Sequence, residues 1–226
     1  MSQSGTHPVT SAEHCAGARR RGRPARPPAD ADARQRLIRT GLIHLTEKGY
    51  ASASVDEILR DAAVPKGCFY HYFTNKADFG SQLIATYRDY FAAKLDRWFL
   101  ETGLSPAARI RAFVIDAEAG MARHGFRRGC LIGNLGQEMG ALPEPFRAQL
   151  TAVLEDWQAR TAQCLRAAQD SKEIAAHHDP AALAAFFWIG WEGAVLRAKL
   201  ERNGAPLRAF AQGFDTLFIN HGTAPA

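Results

Sequence analysis

The chain has 226 residues, 46% of them hydrophobic and 23% charged, with a net charge of +5. That composition fits one large folded unit or two small ones and excludes disordered, fibrous and disulfide-built classes. No apolar run approaches the roughly 18 residues of a membrane span, and the N-terminus MSQSGTHPVTSAEHCAG has no signal-peptide core.

The basic excess sits mainly near the N-terminus, where ARRRGRPARPP (18–28) carries Arg19, Arg20, Arg21, Arg23 and Arg26 and no acid. A basic arm on a nearly neutral body points to a polyanion partner. Residues 1–30 are rich in Pro, Gly, Arg and Ser without a hydrophobic period, and read as a disordered arm. Within it, RRGRP (20–24) is similar to the AT-hook core, with Arg21 and Arg23 placed to enter a narrow A·T minor groove.

Helical periodicity starts at Asp32. Leu37, Ile38, Gly41, Leu42 and Leu45 share a face, and Gly49 reads as a C-terminal stop. Ser54-Val55-Asp56-Glu57 has the form of a capping box, in which Ser54 and Glu57 bond each other's amides. The short helix it opens ends at Val64-Pro65, and Pro65 suits the entry of the next, over roughly Lys66 to Tyr72. Asn75 caps a long helix with Asp78 in its first turn.

Two short helices joined by a tight turn, the second rich in Lys, Tyr and His, match a helix-turn-helix. Lys66 places charge near phosphates, Gly67 permits close approach, and Tyr70 and His71 offer hydrogen bonds one turn later. Phe69 and Phe73 should face inward.

From Asn75 onward the periodicity is helical throughout: Phe79 to Trp98, Ile110 to Met121, Phe146 to Leu165, Leu183 to Val195, and Leu207 to Phe218. No strand or internal repeat is evident. The expectation is an all-α chain with a disordered arm (1–30), a three-helix DNA-binding domain (31–75) and a C-terminal helical effector-binding and dimerisation bundle (76–221).

The run Ser54-Val55-x-x-Ile58 followed by AAVPKGCFYHYFTNKADF resembles the N-terminal signature of TetR-family transcriptional regulators. The resemblance implies a repressor that binds double-stranded, pseudo-palindromic operator DNA as a homodimer in the cytoplasm, needs no cofactor or metal, touches no membrane, and is not an enzyme. It implies DNA contacts from Lys66, Gly67, Tyr70 and His71, with Ser54 among the contacting positions and Lys76 on a phosphate. Cys68 departs from the pattern, which has Ser or Thr there.

The resemblance also implies an effector site in the bundle. GFRRGCLIGNLGQEMG (125–140) sets Cys130, Asn134, Gln137 and Glu138 among apolar residues, and a buried polar face needs partners, of which a ligand is one. FWIGWEGAVLRAKLE (186–200) supplies Trp188, Trp191 and small residues; most are assigned to a dimer interface, with Trp191 also among the effector contacts. The segments around 117–143 and 177–194 are similar to regulators of acrylate catabolism within the family, which implies a small carboxylate effector such as acrylate. Arg127, with Arg128, Arg109 and His124, is a candidate cation for it. Acrylate is a thiol electrophile, and Cys130 beside two arginines is a candidate reactive thiolate. The alternative function is therefore a thiol-dependent enzyme, or a redox or electrophile sensor, built on Cys130.

Overall fold

A computed structural model describes residues 28–219. Helix α1 spans Pro28–Lys48, α2 Val55–Asp61, α3 Lys66–Tyr72, α4 Lys76–Phe99 and α5 Pro106–Ala122. After these come α6, Leu131–Gln137, a single 3-10 turn, Met139–Ala141, then α7, Pro145–Asp170, α8, Pro180–Glu201, and α9, Ala205–Phe218. Among the described residues there is no strand, as expected. The arm arginines Arg21 and Arg23 lie outside the described residues.

Helix α1 stops at Gly49, whose φ of 83° is in the left-handed region that glycine tolerates. A Cβ there would also collide with the Glu138 carboxylate. Ser54 is the N-cap of α2, but its side chain makes no capping bond. The expected capping box is therefore absent: Glu57 turns to Lys48 at 3.2 Å instead, and acidic residues in the first turn favour the helix N-terminus electrostatically. Asn75 caps α4 as expected, accepting from the Asp78 amide at 2.9 Å.

Phe69 and Phe73 are almost fully buried and meet Phe79 from α4 at centroid distances of 5.4 and 4.7 Å. Each aromatic burial stabilises by about 1.5–3 kcal/mol. Phe79 and Leu83 thus belong to the N-terminal core, whereas Tyr87 and Phe91, further along α4, pack against Trp157 of α7. One rigid helix therefore serves both halves.

The bundle core is aromatic: Phe91, Phe113, Trp157, Phe187, Trp188 and Trp191 form a continuous cluster. The Trp188 indole donates to Thr161 Oγ1 at 2.9 Å, which donates to the Trp157 carbonyl at 2.8 Å. Trp188 and Trp191 are therefore interior residues of one protomer, a correction to their expected interface role; the large rings fill the gap between α5, α7 and α8. The apolar residues that α8 leaves exposed are Phe186, Ile189, Leu196 and Leu200, with Ile189 at 74% and Leu200 at 78% exposure. By length and composition α8 could cross a membrane, but Leu183, Ala184, Phe187 and Ala198 are buried within the bundle.

Candidate DNA-reading surface and effector cavity

The packing of Phe69 and Phe73 fixes which side of α3 faces outward. Lys66, Gly67, Tyr70 and His71 all lie on that exposed side, Tyr70 at 62%. No atom comes within 4 Å of where a Cβ of Gly67 would stand, so this end of the helix is open to a docking partner. Lys66 pairs with Asp56 at 2.9 Å, both side chains exposed; that bond holds the ammonium pKa up and is exchangeable for a phosphate. Ser54 is exposed at the start of α2. Cys68 is half-buried against the domain core, which explains why a thiol is tolerated where a hydroxyl is usual: the position packs as well as faces outward.

Lys76, the expected phosphate contact, is engaged within the protein. Its ammonium donates to the Tyr50 carbonyl at 2.8 Å and lies 4.5 Å from the centre of the Tyr50 ring. Burial lowers its pKa. The side chain braces the loop between α1 and α2.

A cavity of about 520 Å³ lies between α1 and the bundle. Leu42, Ile43 and Thr46 of α1 form one wall, and Tyr87, Phe91 and Lys94 of α4 another. Trp191, Glu192 and Val195 of α8, together with Cys130, close it. Arg39, Arg123, His124 and Arg128 also line it. Lys94 pairs with Asp116 at 3.0 Å and Arg128 with Glu47 at 3.0 Å. Burial lowers the Lys94 pKa against the raising effect of Asp116. Burial also lowers that of His124, with Arg128 and Arg123 adding to the effect.

Of the expected effector residues, Cys130 and Trp191 line this cavity. Arg127 does not; it is exposed, and Arg128 supplies the guanidinium instead. Arg109 is also elsewhere, donating to the carbonyls of Leu104 and Phe99 at 3.0 and 3.1 Å. Asn134 and Gln137 border only a crevice of about 10 Å³ behind Cys130, too small for an effector. Asn134 donates to the carbonyls of Leu45 and Thr46 at 3.0 and 2.8 Å. Glu138 accepts from the amides of Tyr50 and Ala51 at 3.0 and 2.8 Å. The polar face of 130–138 is thus satisfied largely by the DNA-binding half. Its single turn separates Cys130, on the cavity, from Asn134, on α1.

Cys130 is 7% exposed. The Glu192 carboxyl and the Tyr87 hydroxyl neighbour its thiol; burial first, then Glu192, push its pKa well up. Burial also pushes Glu192 up, to about 7. The surroundings do not favour the expected thiolate between two arginines: the group that acts on the sulfur is the Glu192 carboxyl, and burial holds the thiol protonated. Glu192 and Lys94 were missed as site residues. Each was visible as a lone charge on an otherwise apolar helical face, the signal of a group with a buried partner.

Residues 37–80 match the family model described as bacterial regulatory proteins, tetR family, and residues 106–214 that of the tetracyclin repressor-like C-terminal domain. The chain is 63% identical over 200 residues to the transcriptional regulator AcuR of Cereibacter sphaeroides, covering 88% of this chain and 91% of that protein. It is 31% identical over 185 residues to the HTH-type transcriptional repressor DhaR of a Mycobacterium species, covering 80% and 90%. A crystal structure of a regulatory protein TetR from Rhodobacter sphaeroides superposes with a TM-score of 0.82 at 64% identity, covering 82% of this chain and 98% of that one.

Proposed function

Because the chain belongs to the TetR family of DNA-binding transcriptional repressors, we propose that a small anionic effector, a short carboxylate such as acrylate, enters the cavity beneath α1 and releases the protein from its operator. The observation that carries this is the composition of the cavity wall. Leu42, Ile43 and Thr46 belong to the DNA-binding half, while Lys94 and Arg128 offer cations from the other. An anion drawn to Arg128 competes with Glu47, the α1 residue that Arg128 now holds at 3.0 Å. Effector binding and α1 position are linked by that competition, and linkage requires the released state to bind effector better.

Two protomers would join through the exposed stripe of α8, giving two α3 helices for two half-sites of a pseudo-palindromic operator. No atom lies within 4 Å of a Cβ built at Gly193 in the middle of that stripe, so a second helix can approach closely. DNA is met in the cytoplasm, and no enzyme activity is needed.

Fluorescence anisotropy on duplex DNA flanking the gene, with sodium acrylate titrated in, tests the reading. We expect salt-sensitive duplex binding that acrylate abolishes. Lys66→Ala should lower the slope of affinity against salt by about 1, as the loss of one phosphate contact does. Binding unaffected by saturating acrylate would remove the effector; an unchanged salt slope would remove the α3 assignment.

A further inference from the structure

The unexplained group in this molecule is Glu192. Its carboxyl is on the cavity wall, and Oε1 is shielded from solvent without a hydrogen-bond partner. On its other side it packs so closely against α6 that a Cβ at Gly133 would collide with Oε2. A buried carboxylate oxygen left without a donor is costly, so this group either carries a proton or awaits a donor from a ligand. None of the cavity cations serves it, because Lys94 is held by Asp116 and Arg128 by Glu47.

Resting on the effector reading above, we propose that Glu192 is the specificity-determining residue of the cavity: as a neutral acid it donates a hydrogen bond to the effector's carboxylate, so that binding above neutrality takes up one proton. The proton comes from solvent and stays between the two carboxyl groups; no covalent bond is made or broken. Two ionised carboxylates sharing the site would repel, so the pair must hold one proton. The proton stays nearer Glu192, because a buried carboxyl binds it more tightly than a short carboxylate does. The chemical class selected is a monocarboxylate, which can accept from an acid.

Other ionisable groups surround Glu192. Tyr87 of α4 and Cys130 at the start of α6 interact with it electrostatically; Lys94 of α4 lines the same cavity, and Lys199, further along α8, borders the crevice behind. His124 and Arg128 stand across the cavity. Burial raises the pKa values of Tyr87 and Cys130, moving both further from neutrality. The pKa of His124 is lowered, by burial first and then by Arg128 and Arg123, which moves it away from that of Glu192. Glu192, raised to about 7, titrates near neutrality.

Calorimetric affinities for sodium propionate and for uncharged propionamide, measured from pH 6 to pH 8.5 on the full-length dimer, read the proton directly. Propionate affinity should fall about tenfold per pH unit above about 7, the signature of one coupled proton, while propionamide affinity should not fall. Glu192→Gln, which keeps the shape and donates permanently, should bind propionate with no such slope and near the affinity of the low-pH parent. A parent affinity flat in pH, or a slope surviving in Glu192→Gln, overturns the assignment. Failure of propionate and acrylate to bind the parent even at pH 6 instead overturns the effector reading, and this inference with it. A folded-state check comes from the carboxylic-acid stretch in infrared difference spectra of the ligand-free protein, which Glu192→Gln should erase near neutral pH.

Discussion

At Cys130 the neighbours are the Tyr87 hydroxyl and the Glu192 carboxyl, and burial first, then Glu192, favour the thiol. A thiol attacks electrophiles as the thiolate, so raising the pKa removes the reactive species. Intact-mass measurement after exposure to acrylate should therefore show no adduct at Cys130, and Cys130→Ser should still be released from DNA by acrylate. An adduct that forms as fast as release would restore the electrophile-sensor reading. The aromatic side chains of α3 illustrate how local spacing can suffice: Phe69 and Phe73 are four residues apart, hence on one face of a helix, and that face is buried. Lys76 illustrates where it does not. Nothing in the run TNKADF says that Tyr50, 26 positions earlier, brings a carbonyl within 2.8 Å of its ammonium.

Among the elements, α6 has a role out of proportion to its seven residues. Its preceding residue, Cys130, is in the cavity wall; Asn134 bonds the last turn of α1; Glu138 bonds the amides just beyond. The Thr46 carbonyl receives three donors from the other half: the Gly129 amide at 3.1 Å, Asn134 Nδ2 at 2.8 Å and Lys199 Nζ at 3.1 Å. This clasp holds α1 against the cavity wall, and under the proposed release an effector that moves α1 would have to break it. Asn134→Ala removes about 1 kcal/mol of that holding energy, the usual net worth of a hydrogen bond. Acrylate should then bind about fivefold more tightly by calorimetry, with the dimer and helix content unchanged. Acrylate affinity that stays the same or weakens in a folded variant would mean that the clasp only stabilises the fold. Sequence spacing correctly grouped Cys130, Asn134 and Glu138 on a polar face, but their partners are backbone groups of α1 and the following loop, which no pattern within α6 reveals.

For the whole molecule, the exposed stripe of Phe186, Ile189, Leu196 and Leu200 on α8 is the surface to which a second copy is assigned. A charge at its centre would be buried unpaired on association, at a cost of several kcal/mol. Ile189→Glu should therefore give a folded monomer by light scattering and lose operator affinity, since one α3 reads only one half-site. A dimer that survives this substitution would move the interface away from α8.

The one-dimensional pattern determined what depends on neighbours a few residues apart. It specified the all-helical class, the stop at Gly49, the Asn75 cap, and the division of α3 between core aromatics and an outward face of Lys66, Gly67, Tyr70 and His71. Helical hydrogen bonds and amphipathic faces are local, so their signals are local. The tertiary structure alone decided what depends on distant segments meeting. It turned Trp188 and Trp191 into the core, gave Asn134 and Glu138 to α1 and its loop, left Arg127 in solvent, and brought Glu192 to the cavity beside Cys130, 62 positions away in the chain. A side chain's partner, unlike its helix, is chosen by which elements pack together, and packing is a property of the whole fold.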